Sequence, residues 1–127
     1  MAKRLWGSLG MMAGVVSLAL SGAAWADSHI ITYKDDVKSI LEHRCLECHK
    51  TGGDGAKASG LLMDSYTNLM KGTSNGSVIT PGNPSTSNLL VLVEGKAAIR
   101  MPHNKKPLTK CEIDILRKWI AQGAKDN

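Results

Sequence analysis

The chain has 127 residues, a formal net charge of +5, 43% hydrophobic and 4% aromatic side chains, and no Phe. That length allows one small domain once any leader is removed, and rings are too few to fill a core by themselves. The basic residues are not interleaved with aromatics as they are in single-strand binders, which excludes nucleic acid as a partner.

Met1-Ala2-Lys3-Arg4 is a basic start, Leu5 to Ala24 an apolar run, and Ala24-Trp25-Ala26 a small-x-small site before Asp27. This is the pattern of a secretory signal peptide over residues 1–26, cut after Ala26. Left uncut, the run is about long enough to span a membrane, so a tethered form is the alternative. Either way the domain, residues 27–127, is expected outside the cytoplasm, which in a bacterium means the periplasm. Removing 26 of the 127 residues leaves 101, and losing Lys3 and Arg4 takes two from the charge of +5, leaving +3.

Thr32 with Asp35 three places on reads as a capped helix start. Tyr33, Val37, Ile40 and Leu41 then form an apolar stripe, which predicts a helix over about 33–44. This helix delivers Cys45-Leu46-Glu47-Cys48-His49, the string that covalent attachment of a c-type haem requires. Each thiol can add to one vinyl group, and a two-residue spacer on a helical turn sets both sulfurs on one side. His49 is then presented to the iron as the proximal ligand, its other ring nitrogen seeking an acceptor. Two alternatives stand beside this reading. A thioredoxin-like pair would open a helix after a strand, and no such setting is visible. A zinc site would need Cys111 with His49 or His103, without the second closely spaced ligand pair usual for such sites. His29 and His43, on polar stretches, are expected to be solvated.

Residues 50–60 carry four glycines and no apolar periodicity, and are expected to be a loop. Asp64 and Gly72 bracket a short helix as N-cap and stop. A second Gly- and Ser-rich loop reaches Pro81-Gly82-Asn83-Pro84. Ser85 or Ser87 then caps a helix through Glu94 that is apolar nearly all round, and so buried on most sides. The segment from Gly95 to Leu108 is a loop. Thr109-Lys110-Cys111-Glu112 opens the last helix as a capping box, with Ile113, Leu116 and Ile120 as its stripe and Gly123 at its end. Four helical patterns without strand alternation make the domain all-α.

An electron carrier needs a second axial ligand, and a thioether raises the potential relative to a second imidazole. Met63 and Met70 sit in apolar helical surroundings where Met fills gaps. Met101 stands in a loop before Pro102, which restricts it to an extended conformation and presents its side chain to a fixed target. Met101 is therefore the expected distal ligand, with His103 as its competitor.

Taken together, Val37 to His49, Gly60 to Asp64, Thr80 to Leu90, Arg100-Met101-Pro102 and Leu108 to Ala124 resemble a small class I cytochrome c, and most of all the planctomycete-type cytochrome c domain. The resemblance implies a cytochrome c fold of about four helices with long Gly-rich loops around one covalent haem c. Its first and last helices would cross, Cys45 and Cys48 would be the attachment sites, His49 proximal and Met101 distal. Two departures stand out. His103 occupies a position where the family often has Pro, and no Pro lies between Lys50 and Thr80 to accept the hydrogen bond of the proximal imidazole.

The function expected on this footing is a periplasmic one-electron carrier rather than an enzyme. The alternatives are a peroxidase-like site with a labile Met101 beside His103, and a zinc-stapled binding module. Arg100, Lys105, Lys106 and Lys110 could steer an acidic redox partner or form a merely solvated face. Membrane contact would come through an uncut leader or a membrane-bound partner. Cys111 is left over by the haem string. Free N–H groups at a helix start and Lys110 favour its thiolate, and an odd thiol in an oxidising compartment pairs with another chain, which predicts a disulfide dimer. A buried, inert Cys111 is the other reading.

Overall fold

A computed structural model describes residues 29–127, so the leader expected over residues 1–26 lies outside the described residues. Within them the chain is helical, without a strand and with one isolated bridge between Thr73 and Gly76. A π-wound turn, Tyr33–Val37, runs directly into α1, Lys38–Arg44. Then come α2 (Asp54–Ser59), α3 (Tyr66–Lys71), a 3₁₀ turn (Pro84–Thr86), α4 (Asn88–Val93) and α5 (Lys110–Ala121).

The stripe expected on the first helix is the buried one: Tyr33, Val37, Ile40 and Leu41 all face the core. Its start differs in detail from the expected cap. The Thr32 hydroxyl accepts from the Asp35 N–H at 3.2 Å, but the carboxylate reaching back to the Thr32 N–H is that of Asp36, at 2.8 Å. The extra residue in the first turn, where Val37 N–H donates to the Thr32 carbonyl, moves the reach-back acid one place along.

Residues 50–60 correct the sequence reading, because a helix, α2, occupies the stretch expected to be loop. It has no buried side chain, so apolar periodicity could not reveal it. Its support is backbone: Ala56 N–H donates to the Cys48 carbonyl at 3.0 Å, and Gly60 ends it in the left-handed region at φ 75°. The next helix is capped by Ser65, one residue beyond the expected Asp64, while Asp64 accepts from the Asn68 side chain at 2.7 Å. Gly72 ends α3 as expected, and a Cβ there would lie 2.4 Å from the Gly76 carbonyl oxygen.

Helix α4 starts after Ser87, yet the Ser87 hydroxyl does not cap it. Fully buried, it accepts from the Thr80 N–H and donates to the Asn83 carbonyl, both at 2.9 Å, which fixes the Pro-rich approach to the helix. On the same segment, Gly82 N–H donates to the Ile120 carbonyl at 2.8 Å and docks the loop on the end of α5. Helix α5 has the expected capping box, with Glu112 accepting from the Thr109 N–H at 2.6 Å. Glu94, at the end of α4, is held by Lys96 and by Arg117 of α5. The Lys96 hydrogen bond, then the Arg117 guanidinium, keep its carboxyl below the usual range against the pull of burial.

The three aromatic residues of the described chain gather in one cluster. Tyr33 meets Tyr66 edge-on with centroids 5.2 Å apart, and lies 5.8 Å from Trp119. The Tyr66 hydroxyl donates to the Ala124 carbonyl at 2.8 Å and the Trp119 indole N–H to the Lys125 carbonyl at 2.9 Å, so both polar tips are satisfied. Leu41, Leu69, Leu90, Leu116 and Ile120 are almost wholly buried in the same core as Trp119, each contributing roughly 1.5–3 kcal/mol by removal from water. The tail closes the cluster, with the Tyr33 N–H donating to the Asn127 side chain at 3.0 Å and the Ile31 N–H to the Gln122 side chain at 2.9 Å. None of the three rings borders the cavity described next.

Candidate haem-binding site

Beyond Arg44 the chain continues in a hydrogen-bonded turn, in which the N–H groups of Cys48 and His49 both donate to the Cys45 carbonyl, at 3.1 and 3.0 Å. Residues three apart on such a turn lie on one side. Cys45, Cys48 and His49 accordingly border a single cavity of about 560 Å³, a size typical of small-molecule and cofactor sites. Its walls are largely apolar, from Leu61, Met63, Val78, Leu89, Leu92 and Val93. Met101 and His103 border it from the loop between α4 and α5.

His49 is buried, and its Nδ1 lies 3.1 Å from the Leu61 carbonyl oxygen. A carbonyl can only accept, so Nδ1 carries the proton and Nε2 keeps its lone pair for a metal. The acceptor that no proline supplies is therefore a backbone carbonyl from the segment after α2. That segment is itself anchored to His49, since Met63 N–H donates to the His49 carbonyl at 2.8 Å. On its other side the ring meets α2, where a Cβ on Gly55 would lie 2.8 Å from Cε1 and 2.9 Å from Nε2. Gly53 is equally constrained, its Cβ falling 2.4 Å from the Cys48 carbonyl oxygen. Gly53 and Gly55, in the stretch expected to be loop, thus allow α2 to lie against the turn that carries Cys48 and His49.

Burial pushes the Cys45 thiol up to about 11, against the smaller downward pull of Arg44. An environment that penalises a thiolate suits a neutral thioether. The zinc module lacks its third sulfur, because Cys111 is exposed at the start of α5 and does not border the cavity. Among the described residues no three of His, Cys, Asp and Glu are grouped to hold a metal ion. The exposure of Cys111 likewise overturns its reading as core packing.

The three methionines after residue 28 are placed differently. Met63 is buried in the core and also borders the cavity, Met70 packs on the core away from it, and Met101 is partly buried in the loop. Met101 N–H donates to the Leu92 carbonyl at 3.1 Å, and its peptide bond to Pro102 is cis. His103 is exposed at the cavity. His43 is also exposed, with Nδ1 2.7 Å from the Ser39 carbonyl oxygen, and neither it nor His29 borders the cavity. Sequence reasoning missed the Leu61 carbonyl and Gly55. The Gly-rich spacing was visible, but its partner was not.

A proton-committed imidazole with a free nitrogen, two neighbouring cysteines on one turn and an apolar hollow of this size fit a covalently held haem. An all-α domain presenting them is the arrangement a c-type cytochrome requires. Residues 45–104 match the family model of the planctomycete cytochrome C. No curated protein and no solved structure matches the chain.

Gly55 gives this arrangement a test with an unusual sign. Inside a helix, Gly→Ala ordinarily stabilises by roughly 0.5–1 kcal/mol. Gly55→Ala is expected to do the opposite, because the new methyl must displace the imidazole or α2. Thermal melting of the haem-loaded protein should fall, and the absorption spectrum should gain a high-spin component. A variant as stable as the parent with an unchanged spectrum would show that α2 yields freely and does not hold the ring.

Proposed function

We propose that this chain is an exported mono-haem electron carrier, with Cys45 and Cys48 as thioether attachments, His49 Nε2 as the proximal ligand and Met101 as the distal one. Domains of this family generally act as electron carriers rather than enzymes. When bound, haem c supplies one-electron chemistry between ferrous and ferric iron. The observation that carries the reading is that all four side chains border one apolar cavity while the second nitrogen of His49 is already committed to Leu61. The protein's own work is to hold and orient. The Leu61 carbonyl fixes the tautomer and plane of His49, α2 buttresses the ring, and Leu61, Met63, Val78 and Leu89 keep water from the cavity floor, each being buried. A low dielectric there favours the less charged state of a redox centre and so favours reduction.

The export signal over residues 1–26 supports a periplasmic location, and among the described residues no helix is long and apolar enough to cross a membrane. Partner steering rests on fewer charges than the sequence suggested. Lys105 is paired with Glu47 at 3.0 Å and Lys110 with Asp114, while Arg100 and Lys106 are exposed and in no ion pair among the described residues. Those two are the cations left to draw an acidic redox partner to the cavity mouth, where Ile99 is 52% exposed.

The deciding measurement is the absorption spectrum of the protein matured in a haem-attaching host. Sharp low-spin bands that survive acid–acetone extraction support the carrier. High-spin bands point to an open coordination position and ligand chemistry at Met101 and His103, and a protein without visible bands removes haem from the account.

A further inference from the structure

Arg44, the residue before Cys45, is tied to the loop that carries Met101. Its Nη2 donates to two successive carbonyls, Lys106 at 2.9 Å and Pro107 at 2.6 Å. Its Nε lies 3.3 Å from Glu112, whose other oxygen accepts from the Thr109 N–H at 2.6 Å. Burial raises the Glu112 carboxyl, but the Thr109 hydrogen bonds and the Arg44 charge outweigh it and hold the carboxyl below its usual range. One guanidinium therefore joins the haem string, the end of the Met101 loop and the first turn of α5.

Elsewhere the loop is held at Met101, whose N–H donates to the Leu92 carbonyl, and at its end by the buried Leu108. Residues 103–107 are exposed, and the neighbouring Lys105–Glu47 pair has side chains 55% and 75% exposed, where an ion pair contributes little. The Arg44 side chain is 21% exposed, and its bonds to carbonyls are of the stronger, charge-assisted kind. Its planar fork turns Nη2 to the Lys106 and Pro107 carbonyls and Nε toward Glu112, an arrangement that the single ammonium of Lys does not reproduce.

We propose that Arg44 is a positioning residue that holds the Met101 loop closed, and so sets how readily an outside ligand reaches the position Met101 guards. This rests on Met101 as the distal ligand. Without the guanidinium the open form of the loop gains population, and the apparent affinity of a competing ligand rises in proportion.

The test is an imidazole titration of the ferric, haem-loaded protein, followed by loss of the near-infrared charge-transfer band of sulfur-bound iron. Arg44→Met is expected to take imidazole on the order of tenfold more tightly than the parent. Arg44→Lys, which keeps the charge and loses the fork, is expected to fall between, and carries the same test if Arg44→Met does not mature. Glu47→Gln should stay near the parent. So should Leu116→Ala, a destabilising change in the core that does not border the cavity. Parent-like imidazole binding in both Arg44 variants overturns the proposal, as does an equal gain in Leu116→Ala, which would make the effect one of general loosening. A parent protein without the sulfur band overturns the Met101 assignment itself, a result distinct from a band that is present and indifferent to Arg44.

Discussion

Replacing Cys45 and Cys48 together with Ala is expected to yield a chain that carries no haem and does not fold cooperatively. Either single replacement should leave one thioether and a folded, coloured protein. The magnitude follows from the cavity. At about 24 cal/mol per Å³ an empty hollow of about 560 Å³ corresponds to on the order of 10 kcal/mol. Its open mouth admits water and reduces that figure, yet even a third of it is a large share of the roughly 5–15 kcal/mol by which small domains are stable. Circular dichroism and Trp119 emission report the outcome: helical signal should fall, and the indole, 1% exposed in the native fold, should emit as if in water. Native helical content with a cooperative melt in the double variant would show that the aromatic cluster of Tyr33, Tyr66 and Trp119 supports the fold alone.

Met101→Ala should remove the near-infrared band of sulfur-bound ferric iron and leave either high-spin iron or capture of a substitute such as His103. The potential should fall, by up to tenths of a volt within the roughly 0.8 V range that axial ligands command. Met63→Ala is the necessary comparison, because Met63 also borders the cavity. Buried at 5% exposure, it should cost about 2–5 kcal/mol of stability while the band persists. Met70→Ala, away from the cavity, should affect stability alone. A band that survives in Met101→Ala and disappears in Met63→Ala would exchange the two assignments.

Much of the architecture was legible because it is written in side chains. The stripe from Tyr33 to Leu41, the Thr109–Glu112 capping box and the Gly72 stop each depend on residue type at fixed spacing. What escaped is written in backbone. The acceptor for His49 is a carbonyl, which every residue possesses, so Leu61 carries no signal. Helix α2 buries no side chain and leans on the Cys48 carbonyl, leaving no periodicity to read. Ser87 misled for a related reason, since a buried hydroxyl has several backbone partners and the sequence does not say which it takes. The exposure of Cys111 was ambiguous because the first turn of a helix offers both an inner and an outer face.

The docking of the tail has a consequence for the order in which the molecule can assemble. At the entry to the first helical turn, the N–H groups of Ile31 and Tyr33 find partners 91 and 94 positions further along, at Gln122 and Asn127. Contacts so distant in the chain close a loop of nearly the whole domain before they return any energy, which slows folding. A chain emerging end-first from a ribosome or through a membrane pore presents Tyr33 long before Asn127 exists to meet it. The aromatic cluster then stays open until Gln122 and Asn127 arrive. Cys45 and Cys48 would remain accessible over that interval, which on the proposed haem attachment would leave time for a cofactor to be joined to both before the domain shuts around it.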